Sequence, residues 1–316
     1  MKKFTSITDV NDLKSLLDLA QELKGNPFKN KTLGENKTLG LLFFNPSLRT
    51  RLSTQKAAMN LGMNVIVMNL NNDGWSIEFG DGTVMNQGTQ EHIKEAAGVV
   101  SQYCDIIGIR TFASLTNKVD DYQDSVLTNF IKHSTVPVIS LESATLHPLQ
   151  SFADLITIAE NKIIEKPKVV LTWAPHPRAL PQSVSNSFVE WVKQTNVDLT
   201  ITHPKGYELK EEFTQGVEIS YDQEKAFENA DFIYAKNWSC YHDYGKTLKN
   251  LDHWVVNEQK MKLTNNAKFM HCLPIRRNVI ATDQVLDASS SLILEQANNR
   301  TFAAQAVLLK MLRNEG

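Results

Sequence analysis

The chain has 316 residues, 42% of them hydrophobic, with 33 Lys+Arg against 35 Asp+Glu and a formal net charge of −2. That length suits one large domain or two medium ones, and the balanced charge excludes both a global basic field for nucleic acid and an acidic tail. No apolar run reaches the roughly 18 residues of a membrane span, and the start, Met1-Lys2-Lys3-Phe4-Thr5-Ser6, lacks the apolar core of a signal peptide. Cys104, Cys240 and Cys272 make an odd count with no paired metal spacing, which predicts free thiols in a reducing cytoplasm.

Val10, Leu13, Leu16, Leu17 and Ala20 recur at helical spacing, with Gly25 as a stop. Strand and helix patterns then alternate. Strands are expected over 38–45, 64–70, 105–110 and 136–141. Helices are expected over 52–61 (ended by Gly62), 91–101 and 122–132. A long helix over 147–160 precedes a second round. Its strands are 168–173, 197–202, 231–235 and 268–271; its helices are 182–194, 223–229 and 255–263. An amphipathic helix over 298–313 closes the chain. Such alternation predicts right-handed βαβ units and parallel sheets. The fold class is therefore α/β, with two domains of about four strands each, 1–144 and 145–316.

In open parallel sheets, ligands bind beyond the carboxyl ends of the strands. The polar clusters fall at those ends, which predicts one crevice lined by both domains. Phe44-Asn45-Pro46-Ser47-Leu48-Arg49-Thr50-Arg51 lies where the first strand hands over to a helix start. Unpaired N–H groups and the positive dipole end collect there, and two hydroxyls and two guanidiniums add donors suited to phosphate. Taken alone, the cluster also fits a capped helix with solvated arginines. Neither G-x-x-x-x-G-K-[ST] nor a strand-following G-x-G-x-x-G occurs, which argues against those nucleotide sites. Arg110, Glu142, His147, His176, Lys236 and the segment His271-Cys272-Leu273-Pro274 also stand at strand ends. His147 with Gln150 could face a polarised carbonyl, and Cys272 reads as core filler or as a nucleophile with no legible relay. Trp75, in a polar loop, reads as a residue that caps a core or reaches a ligand or partner. Arg300 reads as a surface residue at the last helix's start.

Taken together, S-x-R-T-R after the first strand, His-Pro-x-Gln after the middle strand and His-Cys-Leu-Pro after a late one resemble the aspartate/ornithine carbamoyltransferase family, in order and over nearly the full chain. The resemblance implies a carbamoyl phosphate-binding first domain, an amino-acid-binding second domain, and a closing helix, about 298–316, that returns to the first. It also implies a homotrimeric unit, and no cofactor or metal is expected. By matched position, Ser47, Leu48, Arg49 and Thr50 would hold phosphate, and Arg110, His147, Pro148, Leu149 and Gln150 the carbamoyl group. Cys272, Leu273 and Arg300 would complete that site, with Trp75 reaching in from a neighbouring subunit. Arg49, Arg110, His147 and Cys272 would be the catalytic set. Fixed donors aimed at the developing oxyanion and at the leaving phosphate suit this chemistry. The phosphate itself can take the amine proton, so no protein base is needed.

Ornithine-type members carry Asp-x-x-x-Ser-Met-Gly against the substrate α-ammonium, whereas this chain reads Ala235-Lys236-Asn237-Trp238-Ser239-Cys240. Two cations about 4 Å apart repel by about 4 kcal/mol at an effective dielectric of 20, so free ornithine fits poorly. An N-acylated ornithine has no α-ammonium, and the Lys-Asn-Trp segment resembles that of N-acylornithine enzymes of an arginine pathway variant. By resemblance Gln90, Glu142, His176, Lys236, Leu273 and Arg276 would contact this acceptor. Gln90 stands where succinyl-type members have proline and acetyl-type members glutamate. A neutral side chain there does not repel a succinyl carboxylate. Gln305 replaces a lysine of acetyl-type members, whereas Trp75-Ser76-Ile77-Glu78-Phe79 is acetyl-like. The expectation is an N-succinylornithine acceptor, with N-acetylornithine next. Free ornithine, another amine such as putrescine, or a non-catalytic phosphate-binding homologue are the remaining alternatives.

Overall fold

The computed structural model describes residues 1–314; the last two residues of the expected second domain and closing helix lie outside them. The chain forms two compact units. The first takes Met1–Ser114, Val119–Leu149 and the chain from Arg300 onward; the second takes Leu115–Lys118 and Gln150–Asn299.

The first unit is built on strands β1 (Lys3–Phe4), β2 (Thr38–Phe43), β3 (Asn64–Asn69), β6 (Ile106–Arg110) and β7 (Val138–Glu142). They lie in the order β1-β7-β6-β2-β3, and all pairs are parallel. A separate ribbon pairs β4 (Ile77–Glu78) with β5 (Glu91–His92). The central strands are buried along their length, which is why they read as unbroken apolar runs. Leu42, Ile107, Ile109, Ile93, Leu127 and Phe130 pack one face of the sheet. The helix Arg49–Asn60 ends as expected at Gly62, whose φ of +82° suits glycine.

The second unit orders β8 (Lys168–Trp173), β9 (Asp198–Thr202), β10 (Glu218–Ser220), β11 (Phe232–Lys236) and β12 (Lys268–Met270) as β10-β9-β8-β11-β12, again all parallel. Val170, Ile233, Phe269, Phe227 and Val285 form the centre of its core.

Among the described residues, the main sheet of each unit thus has five strands rather than about four. The additional β1 and β10 are edge strands of two and three residues, too short to show a period. The helix expected over 122–132 is two helices, Lys118–Gln123 and Ser125–His133, because Asp124 adopts φ +47° between them. The helix expected over 255–263 shrinks to Glu258–Met261 behind a 3₁₀ turn, Asp252–Trp254, and Asn257 caps it through Lys260 N. The closing helix starts earlier, at Ile293, and runs to Leu312. Its later half returns to the first unit. Gln305 donates to Pro27 O at 2.6 Å and accepts from Asn60 Nδ2 at 2.9 Å, and Arg313 donates to Asn30 Oδ1 at 3.1 Å. No helix among the described residues is long and apolar enough to cross a membrane.

Candidate active site

Both strand orders contain a switch point. In the first sheet the chain runs outward from β2 to β3, then resumes on the other side of β2 with β6. In the second it runs β8-β9-β10, then resumes beside β8 with β11. Loops leaving the two strands at a switch point diverge and open a crevice.

At the first switch point, β2 leads through Asn45 and Pro46 into the helix Arg49–Asn60. Ser47 Oγ accepts from Thr50 N at 3.3 Å, which shapes the helix start. Arg300 is buried and donates through Nη2 to Thr50 Oγ1 at 2.9 Å. Arg300 is therefore no surface residue; it joins the Ser47–Thr50 cluster from 250 positions away. Arg51 lies over the Phe43 ring instead, 5.6 Å from its centroid.

Arg110 ends β6 and is buried. Its Nη1 donates to Asn45 O at 3.1 Å and Pro46 O at 2.8 Å, and its Nη2 to Glu142 Oε2 at 2.9 Å. The guanidinium also lies over the Phe112 ring at 4.2 Å. Its buried Nε–H has no hydrogen-bond partner among the described residues, a costly state unless a ligand completes it. His147 Nε2 stands 3.6 Å from the same Glu142 oxygen. Glu142 is thus engaged by the side chains assigned to the carbamoyl group, although resemblance gives it to the acceptor. Pro148 opens the helix Pro148–Asn161, where its missing N–H is harmless, and Leu149 is buried.

The turn that delivers His147 is held by Asp124, which pattern reading missed. Its carboxylate accepts from Ala144 N at 2.7 Å, Ser143 Oγ at 2.8 Å and Thr145 Oγ1. Burial raises the Asp124 pKa despite these bonds. Trp75 and Gln90 lie just before the two strands of the β4–β5 ribbon. Trp75 is exposed and donates through Nε1 to Glu91 Oε2 at 2.7 Å, while Gln90 N donates to Ser76 O at 2.9 Å.

At the second switch point, Lys236 ends β11 and is buried, its Nζ donating to Asn237 O at 2.8 Å. Asn237 Nδ2 donates to Ala174 O at 2.7 Å, and Ala174 N to Lys236 O at 3.0 Å, which ties the ends of β8 and β11 together. His176 follows β8 and accepts at Nε2 from Arg276 Nε at 3.1 Å. Burial first, then the charges of Lys236, Arg276 and Arg178, lower its pKa. A neutral ring is consistent with Nδ1 donating to Arg178 O at 2.8 Å. The second unit therefore gathers three cations around one neutral imidazole.

Cys272 and Leu273 follow β12, with Leu273 at φ +54° and a cis Leu273–Pro274 peptide. Leu273 N donates to His271 Nδ1 at 2.9 Å. Gln150 donates its amide nitrogen to Asp154 Oδ1 at 2.7 Å, so that nitrogen is committed to a carboxylate. The i,i+4 spacing of Gln150 and Asp154 was the one legible sign of this pairing.

Parallel α/β units with polar groups gathered at both switch points define an enzyme class that binds its ligands beyond the strand ends. The family signature described as aspartate/ornithine carbamoyltransferase, carbamoyl-P binding domain, matches residues 2–160, and the companion Asp/Orn binding domain matches 181–311. An N-succinylornithine carbamoyltransferase of Bacteroides fragilis is 54% identical over 316 residues, covering 99% of each chain. An N-acetylornithine carbamoyltransferase of Xylella fastidiosa is 38% identical over 331 residues, covering 98% of each. Among solved structures, a glutamate-to-proline mutant of N-acetyl-L-ornithine transcarbamylase complexed with carbamyl phosphate and N-succinyl-L-norvaline superposes with a TM-score of 0.94. It is 35% identical and covers 98% of this chain and 100% of that one. The chain belongs to the aspartate/ornithine carbamoyltransferase family.

Proposed function

We propose that the chain transfers the carbamoyl group of carbamoyl phosphate to the side-chain amine of N-succinylornithine, giving N-succinylcitrulline and phosphate in cytoplasmic arginine biosynthesis. Lys236 carries the acceptor assignment. It is buried at a switch point, with Arg276 and Arg178 also close enough to depress the His176 pKa. An acceptor bearing an α-ammonium would meet this field unfavourably. One bearing two carboxylates would be drawn to it, and N-succinylornithine has two where N-acetylornithine has one. The neutral Gln90 and the higher identity to the Bacteroides enzyme support the same choice.

The reaction then divides among the side chains as follows. Ser47, Arg49, Thr50, the Leu48 backbone and the helix dipole receive the phosphate, with Arg300 holding Thr50. The Arg110 Nε–H and His147 polarise the carbamoyl oxygen. Leu273 and Cys272 complete the carbamoyl site, and Lys236, Arg276 and His176 hold the acceptor. The neutral amine attacks, negative charge grows on the carbamoyl oxygen, and the departing phosphate removes the amine proton. Positioning and fixed donors supply the acceleration. The functional assembly is a homotrimer in which Trp75 serves a neighbouring copy.

The acetyl-like Trp75-Ser76-Ile77-Glu78-Phe79 favours a second reading, N-acetylornithine as acceptor. A colorimetric ureido assay with carbamoyl phosphate and each acceptor separates the two. Turnover is expected to be highest with N-succinylornithine and negligible with free ornithine. Strong use of free ornithine would remove the Lys236 argument.

A further inference from the structure

Lys260 is buried on the short helix Glu258–Met261 of the second unit. Its Nζ donates to Gln223 Oε1 at 2.6 Å, to Val255 O at 3.0 Å and to His253 O. An ammonium has three hydrogens, and these three acceptors are all neutral. Burial lowers the Lys260 pKa, opposed by the charge of Glu224. Burying a charge in this way is costly in stability. The ammonium only donates, so the buried Gln223 turns its oxygen to Lys260 and its nitrogen away. That nitrogen donates to Thr172 Oγ1 at 2.8 Å and to Trp254 O at 3.0 Å, and the Thr172 hydroxyl donates on to Trp173 O at 2.9 Å. Thr172 and Trp173 end β8, and His176 stands on the segment that leaves it. On its other side Lys260 holds the carbonyls of His253 and Val255, next to Val256. Val256 N donates to Ile280 O and Thr282 N to Val256 O, both at 3.0 Å. Ile280 N donates to Arg276 O at 3.0 Å, which closes the turn that carries Arg276. Arg276 Nε in turn meets His176 Nε2 at 3.1 Å. The contacts thus form a closed ring with the Lys260–Gln223 bond on one side and the Arg276–His176 bond on the other.

We infer that Lys260 and Gln223 are positioning residues that set Arg276 against His176 for the acceptor's carboxylates. His176 and Arg276 both stand on loops beyond strand ends, and a loop residue is only as well placed as its supports. Arg276 is exposed and His176 only half-buried, so the bond between them fixes little by itself. The Lys260–Gln223 bond is buried and reaches both loops, through Thr172 and Trp173 on one side and through Val256 on the other. Its loss lets the two loops shift independently and costs acceptor binding before it costs the fold. This deepens the proposed function and rests on the acceptor being held at Arg276 and His176.

A double-mutant cycle tests the inference. Steady-state kinetics with N-succinylornithine at saturating carbamoyl phosphate are compared for wild type, Lys260→Met, Arg276→Ala and the double variant. Carbamoyl phosphate affinity is read by calorimetry, and folding by circular dichroism. Lys260→Met is expected to lower kcat/KM for N-succinylornithine about tenfold, mainly through KM, the worth of one charge-assisted contact. In the Arg276→Ala background the same change is expected to cost less than about twofold, because the group it positions is already gone. Carbamoyl phosphate affinity should stay within about twofold of wild type. Gln223→Met is the second arm if Lys260→Met does not fold, because it severs the β8 side and leaves Lys260 on His253 O and Val255 O. It is expected to cost about fivefold, with the same dependence on Arg276. An unchanged kcat/KM in a folded variant, an equal fold-loss with and without Arg276, or an equal loss of carbamoyl phosphate affinity overturns the inference alone. A wild type that turns over no N-acylated ornithine overturns the proposed function, and the inference with it.

Discussion

Asp124 offers a quantitative test of how the turn before His147 is built. In Asp124→Ala, Ala144 N–H and the hydroxyls of Ser143 and Thr145 lose their shared acceptor. A buried N–H left unsatisfied costs about 1–3 kcal/mol. Alanine at φ +47° adds roughly 1 kcal/mol of left-handed strain. Relief of the carboxylate's desolvation offsets part of this, leaving a net loss of about 2–3 kcal/mol. For a unit of this size that lowers the thermal midpoint by roughly 5–10 °C. Asparagine tolerates the left-handed conformation. Its oxygen can still accept from Ala144 N while its NH₂ donates to the two hydroxyls, so Asp124→Asn should cost no more than about 1 kcal/mol.

The two variants also differ in pH dependence. The folded-state pKa of Asp124 is raised above the unfolded value, so its stabilising contribution is complete below the unfolded pKa, about 3.9, and is lost as pH rises through the folded pKa. Asp124→Asn should therefore gain on the wild type as pH increases from the acid range to neutrality. Scanning calorimetry of the three proteins at a series of pH values reads both effects. A wild-type minus Asn difference that does not vary with pH, or an alanine variant as mild as the asparagine one, refutes the reasoning.

Arg49→Ala should lower kcat/KM for carbamoyl phosphate by about a hundredfold or more, as expected for removal of one oxyanion donor. Its melting temperature should fall by no more than about 4 °C, because a half-buried side chain at a helix start costs roughly 1 kcal/mol when truncated; unfolding of this variant would favour a purely structural helix cap. Gln90→Glu should raise the KM of N-succinylornithine roughly fivefold relative to N-acetylornithine, the effect of about 1 kcal/mol of repulsion near the surface. Equal effects on both acceptors would place Gln90 away from the acyl group. Lys236→Met should weaken acceptor binding about tenfold or more, since it removes a charge-assisted contact. It should leave carbamoyl phosphate affinity unchanged, and an equal loss of both would contradict the division of roles.

Most of the architecture was legible because parallel strands buried on both faces announce themselves as apolar runs, as in Lys168–Trp173. What escaped pattern reading was short or long-range. The edge strands β1 and β10 are too short to display a period, and Asp124 looks like any helical aspartate until its φ is known. The site motifs could be quoted from the sequence, but their supports could not. Arg300 reads as a surface arginine and proves to be buried against Thr50, and Glu142 proves to pair with Arg110. The Asp154–Gln296 bond joins residues 142 positions apart on two helices, and no local spacing encodes it. Local chemistry writes the polar clusters at the strand ends into contiguous motifs, whereas the groups that hold them are brought in by the fold.

The most direct test of the account is a one-pot competition. The protein is given carbamoyl phosphate with equimolar ornithine, N-acetylornithine and N-succinylornithine, and initial product ratios are read by mass spectrometry. The account predicts that N-succinylcitrulline dominates and that citrulline is negligible. Predominant citrulline would contradict the role given to Lys236, and predominant N-acetylcitrulline would contradict the succinyl assignment.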